Sequence, residues 1–222
     1  MTVQETLSQL QSHSDEKVRQ MHIKNGAREN LFGVKMGDIR ALAKKIKTDH
    51  KLALQLWETE NIDARLLAIL ILKPRDLLPN EIEKMVASES FTWAADWFYN
   101  YVVKDYPNNE QFRERWINAN NKMLARAGWS LTSGRVARNS EGLDLDALLN
   151  RIEAEMPKAA PETQWTMNTT LAQIGIHHPE FRARALSIGE KLGIYRDYPV
   201  SKGCTSPFAP IWINEMVNRQ KF

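Results

Sequence analysis

Apolar residues recur at three- and four-residue spacings through nearly every segment of the chain, and sustained two-residue alternation is absent, so the pattern predicts helices almost throughout. Ile39, Leu42, Ala43 and Ile46 mark one helix beginning near Gly37-Asp38, with Asp38 as its N-cap. Leu52, Leu54, Leu56 and Trp57 mark the next. Ala64–Leu72 is apolar nearly all round, which makes it a central helix, and Lys73-Pro74 ends it because a residue before proline avoids the helical region. Further helices are expected at about Asn80–Ala87, Phe91–Lys104, Glu110–Asn118, Lys122–Arg138, Leu145–Glu155, Pro161–Ile176, Pro179–Leu192 and Pro207–Arg219. No stretch resembles a long flexible linker, so residues 1–222 read as one domain.

Certain pieces repeat. Asp63-Ala64-Arg65-Leu66-Leu67-Ala68, Leu124-Ala125-Arg126-Ala127-Gly128-Trp129 and Arg182-Ala183-Arg184-Ala185-Leu186 share an Ala-Arg pair at the start of an apolar helix, 61 and then 58 residues apart. Helix hairpins every 30 to 40 residues or so characterise an all-α, HEAT-like α-solenoid, whose inner helices line a concave groove. A compact irregular helical bundle is the alternative.

Charge adds a direction. The segment Glu16–Lys51 carries a net +6, against +3 for the whole chain. Basic charge gathered at one end suits a polyanionic partner such as nucleic acid, although a solvated helix face would carry the same pattern. The longest apolar run, Leu66–Leu72, is too short to cross a membrane, and the polar Met1–Gln11 has no apolar core for a secretory signal. A single cysteine, Cys204, suits a reducing, cytoplasmic setting.

Several chemistries lack their residues. No phosphate-cradling Gly-x-x-x-x-Gly-Lys, no Gly-x-Gly-x-x-Gly and no Gly-x-Ser-x-Gly is present. The five histidines have no metal-ligand spacing, so no metal site is expected. His177-His178 is expected to close a helix end, where a cation is favoured. Cys204 beside Lys202 reads as part of a structural loop, with a thiol nucleophile as the sharper alternative.

The segment richest in chemistry is Ser90–Trp97. Trp93, Asp96, Trp97 and Asn100 fall at i, i+3, i+4 and i+7, one face of a helix. A carboxylate flanked by two indoles is costly if merely buried, and on a surface it forms a site. Arg126, Trp129, Ser130 and Ser133 repeat the pattern on a later helix. The same residues could instead be core tryptophans around an aspartate that caps a helix or pairs with an arginine.

At these residues the chain resembles the DNA alkylation repair family, HEAT-like-repeat glycosylases that remove N-alkylated purines. The resemblance begins at Leu31-Phe32-Gly33-Val34-Lys35-Met36-Gly37-Asp38-Ile39-Arg40. It continues through Leu56-Trp57, Asp63–Ala68, Trp93–Asp96 and Leu124-Ala125-Arg126. It implies a groove that binds duplex DNA by its backbone and, in an enzyme, hydrolysis of the N-glycosidic bond of N3- or N7-alkylated purines with no metal or organic cofactor. Asp96 matches the family's catalytic aspartate and Arg126 its groove arginine, a phosphate contact. Trp93 stands beside the first active-site tryptophan, with Thr92 as the other residue at that place. Trp97, Trp129, Ser133, Arg135, Trp165, Asn168, Lys44 and Lys45 complete the expected DNA-binding set.

The chain also departs from the family. The second aromatic wall falls on Asn168 or Thr169, with Trp165 one turn earlier, while Trp97 and Trp129 are additional. The stretch from Tyr195 to Trp212 is peculiar to a subgroup. A monomer that keeps the scaffold and binds unusual or branched DNA without catalysis is therefore the chief alternative, and a protein-interaction scaffold the next.

Overall fold

Caps written into the sequence divide the chain into short helices. The computed structural model describes residues 1–220, and these contain thirteen α-helices and no strand. Thr2 opens α1 (Val3–Ser12) with a capping box to Glu5, and Asp15 caps α2 (Glu16–Lys24). Asp49 and Asn61 cap α4 (His50–Glu58) and α5 (Ile62–Ile71), while Asn121 and Asp144 cap α9 (Lys122–Arg138) and α10 (Leu145–Glu155). Proline holds the first position of α6 (Pro79–Ser88), α11 (Pro161–His177) and α12 (Pro179–Leu192), where its missing N–H costs no hydrogen bond. The remaining helices are α3 (Met36–Ile46), α7 (Thr92–Phe98), α8 (Asn109–Trp116) and α13 (Ala209–Arg219). No helix among the described residues is long and apolar enough to cross a membrane.

The chain divides into two compact units, Met1–Asn109 and Glu110 onward. In the first, α5 is central as its all-round apolarity predicts: nine of its ten residues are buried, and it packs against α3, α4 and α7. In the second, α9 and α11 form the principal pair, flanked by α12 and α13. Trp129, Leu149, Ile152, Leu171, Ile174 and Ile213 lie in that unit's core. Gly128 permits close approach there, since a Cβ at this position would stand 2.3 Å from the backbone nitrogen of Ile117.

Three boundaries differ from the sequence expectation. The helix expected to start at Asp38 starts at Met36, with Lys35 at the N-cap position, so Asp38 instead complements the dipole of the first turn. The helix expected over Phe91–Lys104 is regular only to Phe98, then widens into a π turn over Tyr99–Val103. The last helix begins at Ala209 rather than Pro207, and the Pro207 carbonyl is held by the Asn168 side chain.

The strongest constraint in the first unit is a buried carboxylate. Asp63, fully buried, accepts backbone N–H bonds from Phe32 (2.6 Å), Gly33 (3.0 Å) and Val34 (2.9 Å). Gly33 has φ +79°, and a Cβ there would meet the backbone of Arg19 at 2.5 Å. The loop 31–34 is thus folded around Asp63, and the Gly33 carbonyl in turn accepts the N–H of Asp15, the α2 cap. Asp63→Ala would orphan three buried donors, so urea denaturation is expected to show a loss of about 3 kcal/mol or more. A loss within 1 kcal/mol or so would mean that the loop re-forms its bonds elsewhere.

Candidate nucleic-acid interface

In the first unit, one ion pair sets the start of the helix that carries the site. Arg65 is buried, and its Nη1 donates to the Ser88 carbonyl (3.1 Å) and to Glu89 Oε2 (3.0 Å), while its Nε donates to the Trp57 carbonyl (3.1 Å). Its guanidinium also lies 4.8 Å from the centre of the Trp57 ring. The other oxygen of Glu89 accepts the Phe91 N–H at 2.8 Å, just before α7. This buried, multiply hydrogen-bonded pair fixes the residue that precedes α7.

The helix turns its small and apolar residues inward: Ala94 and Phe98 are buried, while Trp93, Asp96 and Trp97 are half-buried and Asn100 is exposed. The expected constellation therefore shares one accessible face, and neither indole is a core residue. Asn100 donates its side-chain amide to the Asp96 carbonyl at 2.8 Å. Trp93 meets Trp97 edge-on at 6.2 Å, and Trp97 stacks on Tyr101 at 5.2 Å with an interplanar angle of 21°. Tyr101, 47% exposed, extends the aromatic strip into the π turn. Single-turn π insertions often mark functional sites.

Basic residues reach the same strip from α3. Arg40 stands 5.2 Å from the Trp97 ring centre. Lys44, one turn further along α3, and Lys45 are exposed in its last turn. The first unit thus joins a cation, stacked rings and a carboxylate on one surface.

The second unit places its expected residues differently. Trp129 is 1% exposed in the core, covered by the Arg151 guanidinium at 5.3 Å, so it is a packing residue and not a DNA contact. Ser133 is buried beside it on α9. Arg135 bonds the Asn139 and Glu141 carbonyls and pairs with Glu110 at 3.0 Å, which ties off the end of α9. Asn168 is buried and holds the Pro207 carbonyl. Arg126, 6% exposed, donates from Nη1 to the Glu162 carbonyl at 3.0 Å. Arg126, Trp129, Ser133 and Asn168 are thus buried, whereas Arg135 stays half-exposed at the end of α9.

Trp165 remains half-buried, packed against Tyr195 (5.2 Å) and Tyr198 (5.7 Å) of the segment that follows α12. Tyr195 takes a left-handed φ of +64°, a conformation that costs energy for a side chain of this size. Burial raises its phenol pKa, Tyr198 adds to that, and Arg126 opposes it. Trp165 thus meets rings from a later segment, a long-range pairing that helical periodicity does not reveal. His22, Arg40, Tyr101, Tyr195 and Tyr198 are the additional residues at these surfaces. Arg40 and the stretch from Tyr195 stood out in the sequence without an assigned contact, and Tyr101, four residues beyond Trp97, follows the same helical spacing.

The two histidines do close a helix end, with His177 the last residue of α11 and His178 its cap. The cationic role expected of them is not supported at His177, whose pKa is lowered by burial and by His178. Cys204 is exposed in a loop. No cluster of three or more histidine, cysteine or acidic side chains could hold a metal ion among the described residues.

The sequence and the fold match known proteins. The family described as DNA alkylation repair enzyme matches residues 3–199, and the chain belongs to that family. Among curated relatives, an uncharacterised Listeria innocua protein is 24% identical over 193 residues, which span 86% of this chain and 85% of the relative. An uncharacterised Listeria monocytogenes protein is 24% identical over 195 residues, 86% of each chain. A solved structure superposes with a TM-score of 0.78 at 22% identity, over 99% of this chain and 95% of its own. It represents a new family of proteins related to the HEAT-like repeat DNA glycosylases with affinity for branched DNA structures, and the likeness gives this chain the HEAT-like repeat fold.

Glu162 supplies a pH test of the second unit. Burial pushes its carboxyl up, but the Lys122 hydrogen bond at 2.6 Å, its backbone N–H and the charges of Lys122 and Arg126 more than offset this and hold it below 4.5. A depressed carboxyl stabilises the folded state above its unfolded value and loses that contribution as pH falls through its folded one. Lys122→Met is therefore expected to lower the urea midpoint at pH 7 and to show a smaller deficit at pH 3. An equal deficit at both pH values would show that the pair does not carry it.

Proposed function

We propose that this protein binds duplex DNA through the aromatic and basic surface of its first unit and hydrolyses the N-glycosidic bond of N3- or N7-alkylated purines. The observation that carries this reading is the placement of Asp96 between two accessible indoles, Trp93 and Trp97, with Arg40 over the second. Membership of the DNA alkylation repair family supports it. The basic concave groove and the single-domain organisation expected from the sequence belong to the same proposal.

The chemistry needs little beyond electrostatics. An alkylated purine is cationic, so the bond from C1′ to the base nitrogen breaks with its electron pair moving into the ring and neutralising it. The sugar becomes cationic as the base departs, and the Asp96 carboxylate stabilises that charge. Water adds at C1′ and loses a proton, leaving free base and an abasic site. Trp93 and Trp97 exclude solvent and pack against sugar or base. Lys44 and Lys45 serve as phosphate contacts.

A second reading is favoured by the second unit, where Trp129 is core, Asn168 is tied to Pro207 and Trp165 is covered by two tyrosines. With those positions committed to structure, the protein binds unusual or branched DNA without catalysis, as the affinity reported for its structural neighbour suggests.

Incubation with a duplex bearing one 7-methylguanine separates the two. The enzyme reading expects release of free base that falls at least 100-fold in Asp96→Asn, with DNA affinity unchanged or improved. Absent release, with tighter binding to a four-way junction than to the duplex, supports the second reading. Lys44→Ala with Lys45→Ala is expected to weaken binding to every DNA and to lower the salt slope by about 2, because each phosphate contact releases counterions. An unchanged slope would remove both lysines from the interface.

A further inference from the structure

The first unit displays an indole beside a guanidinium openly, at Trp97 and Arg40; the second unit holds the same pairing under cover. Trp165 on α11 is half-buried against Tyr195, 5.2 Å away and tilted by 65°, and against Tyr198 at 5.7 Å. The two tyrosines meet each other at 5.7 Å with perpendicular rings. Arg126 is 6% exposed, and its charge opposes the rise in the Tyr195 pKa, so this tyrosine stands near the guanidinium as well as the indole.

The covering segment is loosely tied. From Gly193 to Phe208 the chain forms no helix, and its backbone–backbone hydrogen bonds among the described residues close only local turns: Arg196 to Gly193, Tyr198 to Tyr195 and Cys204 to Ser201. Gly193 (φ +63°) and Gly203 (φ +85°) bracket the covering part, both in conformations that few other residues adopt. At the far end, Asn168 holds the Pro207 carbonyl at 2.9 Å and Phe208 is buried. At the near end, Arg196 pairs with Glu190 at 2.8 Å, but both side chains are about half-exposed and such pairs hold weakly. Residues 196–204 are exposed throughout, with Tyr198 at 46% and Val200 at 45%. The left-handed backbone at Tyr195 works against the closed placement, while its contacts with Trp165 favour it. Strain of this kind persists where a second arrangement has a use.

We infer that residues 195–204 form a strap that covers Trp165 in the free protein and swings about Gly193 and Gly203 when DNA reaches the second unit, leaving the indole and Arg126 as a contact for the sugar–phosphate backbone. The inference rests on the proposed DNA binding and deepens it: the second unit's contact is latent, and part of the binding free energy goes into uncovering it. Once uncovered, a flat ring packs on deoxyribose and a guanidinium meets phosphate. No base has to leave the stack, and no bond is made or broken. The strap also accounts for Arg126 and Trp165 being covered in the free chain while Trp97 and Arg40 lie open.

The test uses the full chain and a flush DNA duplex. The double variant Tyr195→Ala with Tyr198→Ala removes both covering rings, so no displacement is needed and it is expected to bind the duplex about threefold or more tightly than the parent. Adding Trp165→Ala to that variant should abolish the gain. Equal or weaker binding by the double variant overturns the strap, weaker binding meaning that the tyrosines themselves touch the DNA. Should the double variant fail to fold, the parent labelled with fluorotryptophan decides. Fluorine NMR gives a resonance for each indole, and Trp165→Phe and Trp97→Phe identify the two that matter. Saturating duplex is expected to shift both. A Trp165 resonance that stays in place while that of Trp97 moves overturns the strap and leaves DNA binding intact. Absence of any binding by the parent overturns the strap together with the reading beneath it.

Discussion

Three backbone amides converge on the carboxylate of Asp63, and much of the first unit is arranged around that convergence. A fully buried carboxylate is tolerable only when its charge is met by hydrogen bonds of good geometry, and here the donors at residues 32–34 are supplied by a loop with no regular structure of its own. The loop could not turn through these positions without Gly33, whose conformation and clearance exclude a side chain. Asp63 also belongs to the first turn of α5, where a negative charge is favoured by the helix dipole. One side chain thus orients a central helix, folds the loop from α2 to α3, and through Gly33 fixes the cap of α2.

Two residues along α5, Arg65 carries the constraint outward. Its bonds to the carbonyls of Trp57 and Ser88 tie together the ends of α4 and α6, and its pair with Glu89 delivers a carboxylate oxygen to the start of α7. Buried ion pairs contribute little net stability compared with apolar residues of the same shape, because desolvation offsets the attraction. What this one contributes is position: it fixes where α7 begins and therefore which residues of Trp93, Asp96 and Trp97 look outward. The same arginine in the second repeat, Arg126, also turns inward, to Glu162. At both places the Ala-Arg pair ties its helix to residues beyond it, Arg65 to Trp57 and Glu89 and Arg126 to Glu162.

How far the sequence reveals this depends on the range of the interaction. Helix identity follows from local spacing and caps, so the all-α pattern, the central α5 and the span Lys122–Arg138 are legible from residues alone. The shared face of Trp93, Asp96 and Trp97 is equally local, being set by 3.6 residues per turn. Burial is not local, and here the reading fails: Trp129 has the same helical spacing from Arg126 and Ser133 as a surface site would, yet it packs with residues of α10 and α11. Trp165 meets Tyr195 and Tyr198 only because the chain turns at Gly193, a contact across some thirty residues that no period encodes. The Asp63 loop lay hidden for the same reason, although both of its halves stood out as motifs.

The accessible strip on α7 is a cost the fold accepts. Trp93, Trp97 and Tyr101 could bury more apolar surface if they faced inward, and burying a large side chain is worth about 1.5–3 kcal/mol. Instead Ala94 and Phe98 take the inward positions, and the rings stack on one another along the surface, with Arg40 over one of them. Stacking and the cation lower the cost of exposure without removing it, and they hold the rings in the upright arrangement that a base or sugar can meet. The π turn that follows sets Tyr101 in line with Trp97 at the expense of regular helical bonding. Packing and helical hydrogen bonding both yield at this strip, and its flat rings with Arg40 over one of them are the chemistry on which the proposed binding of DNA rests.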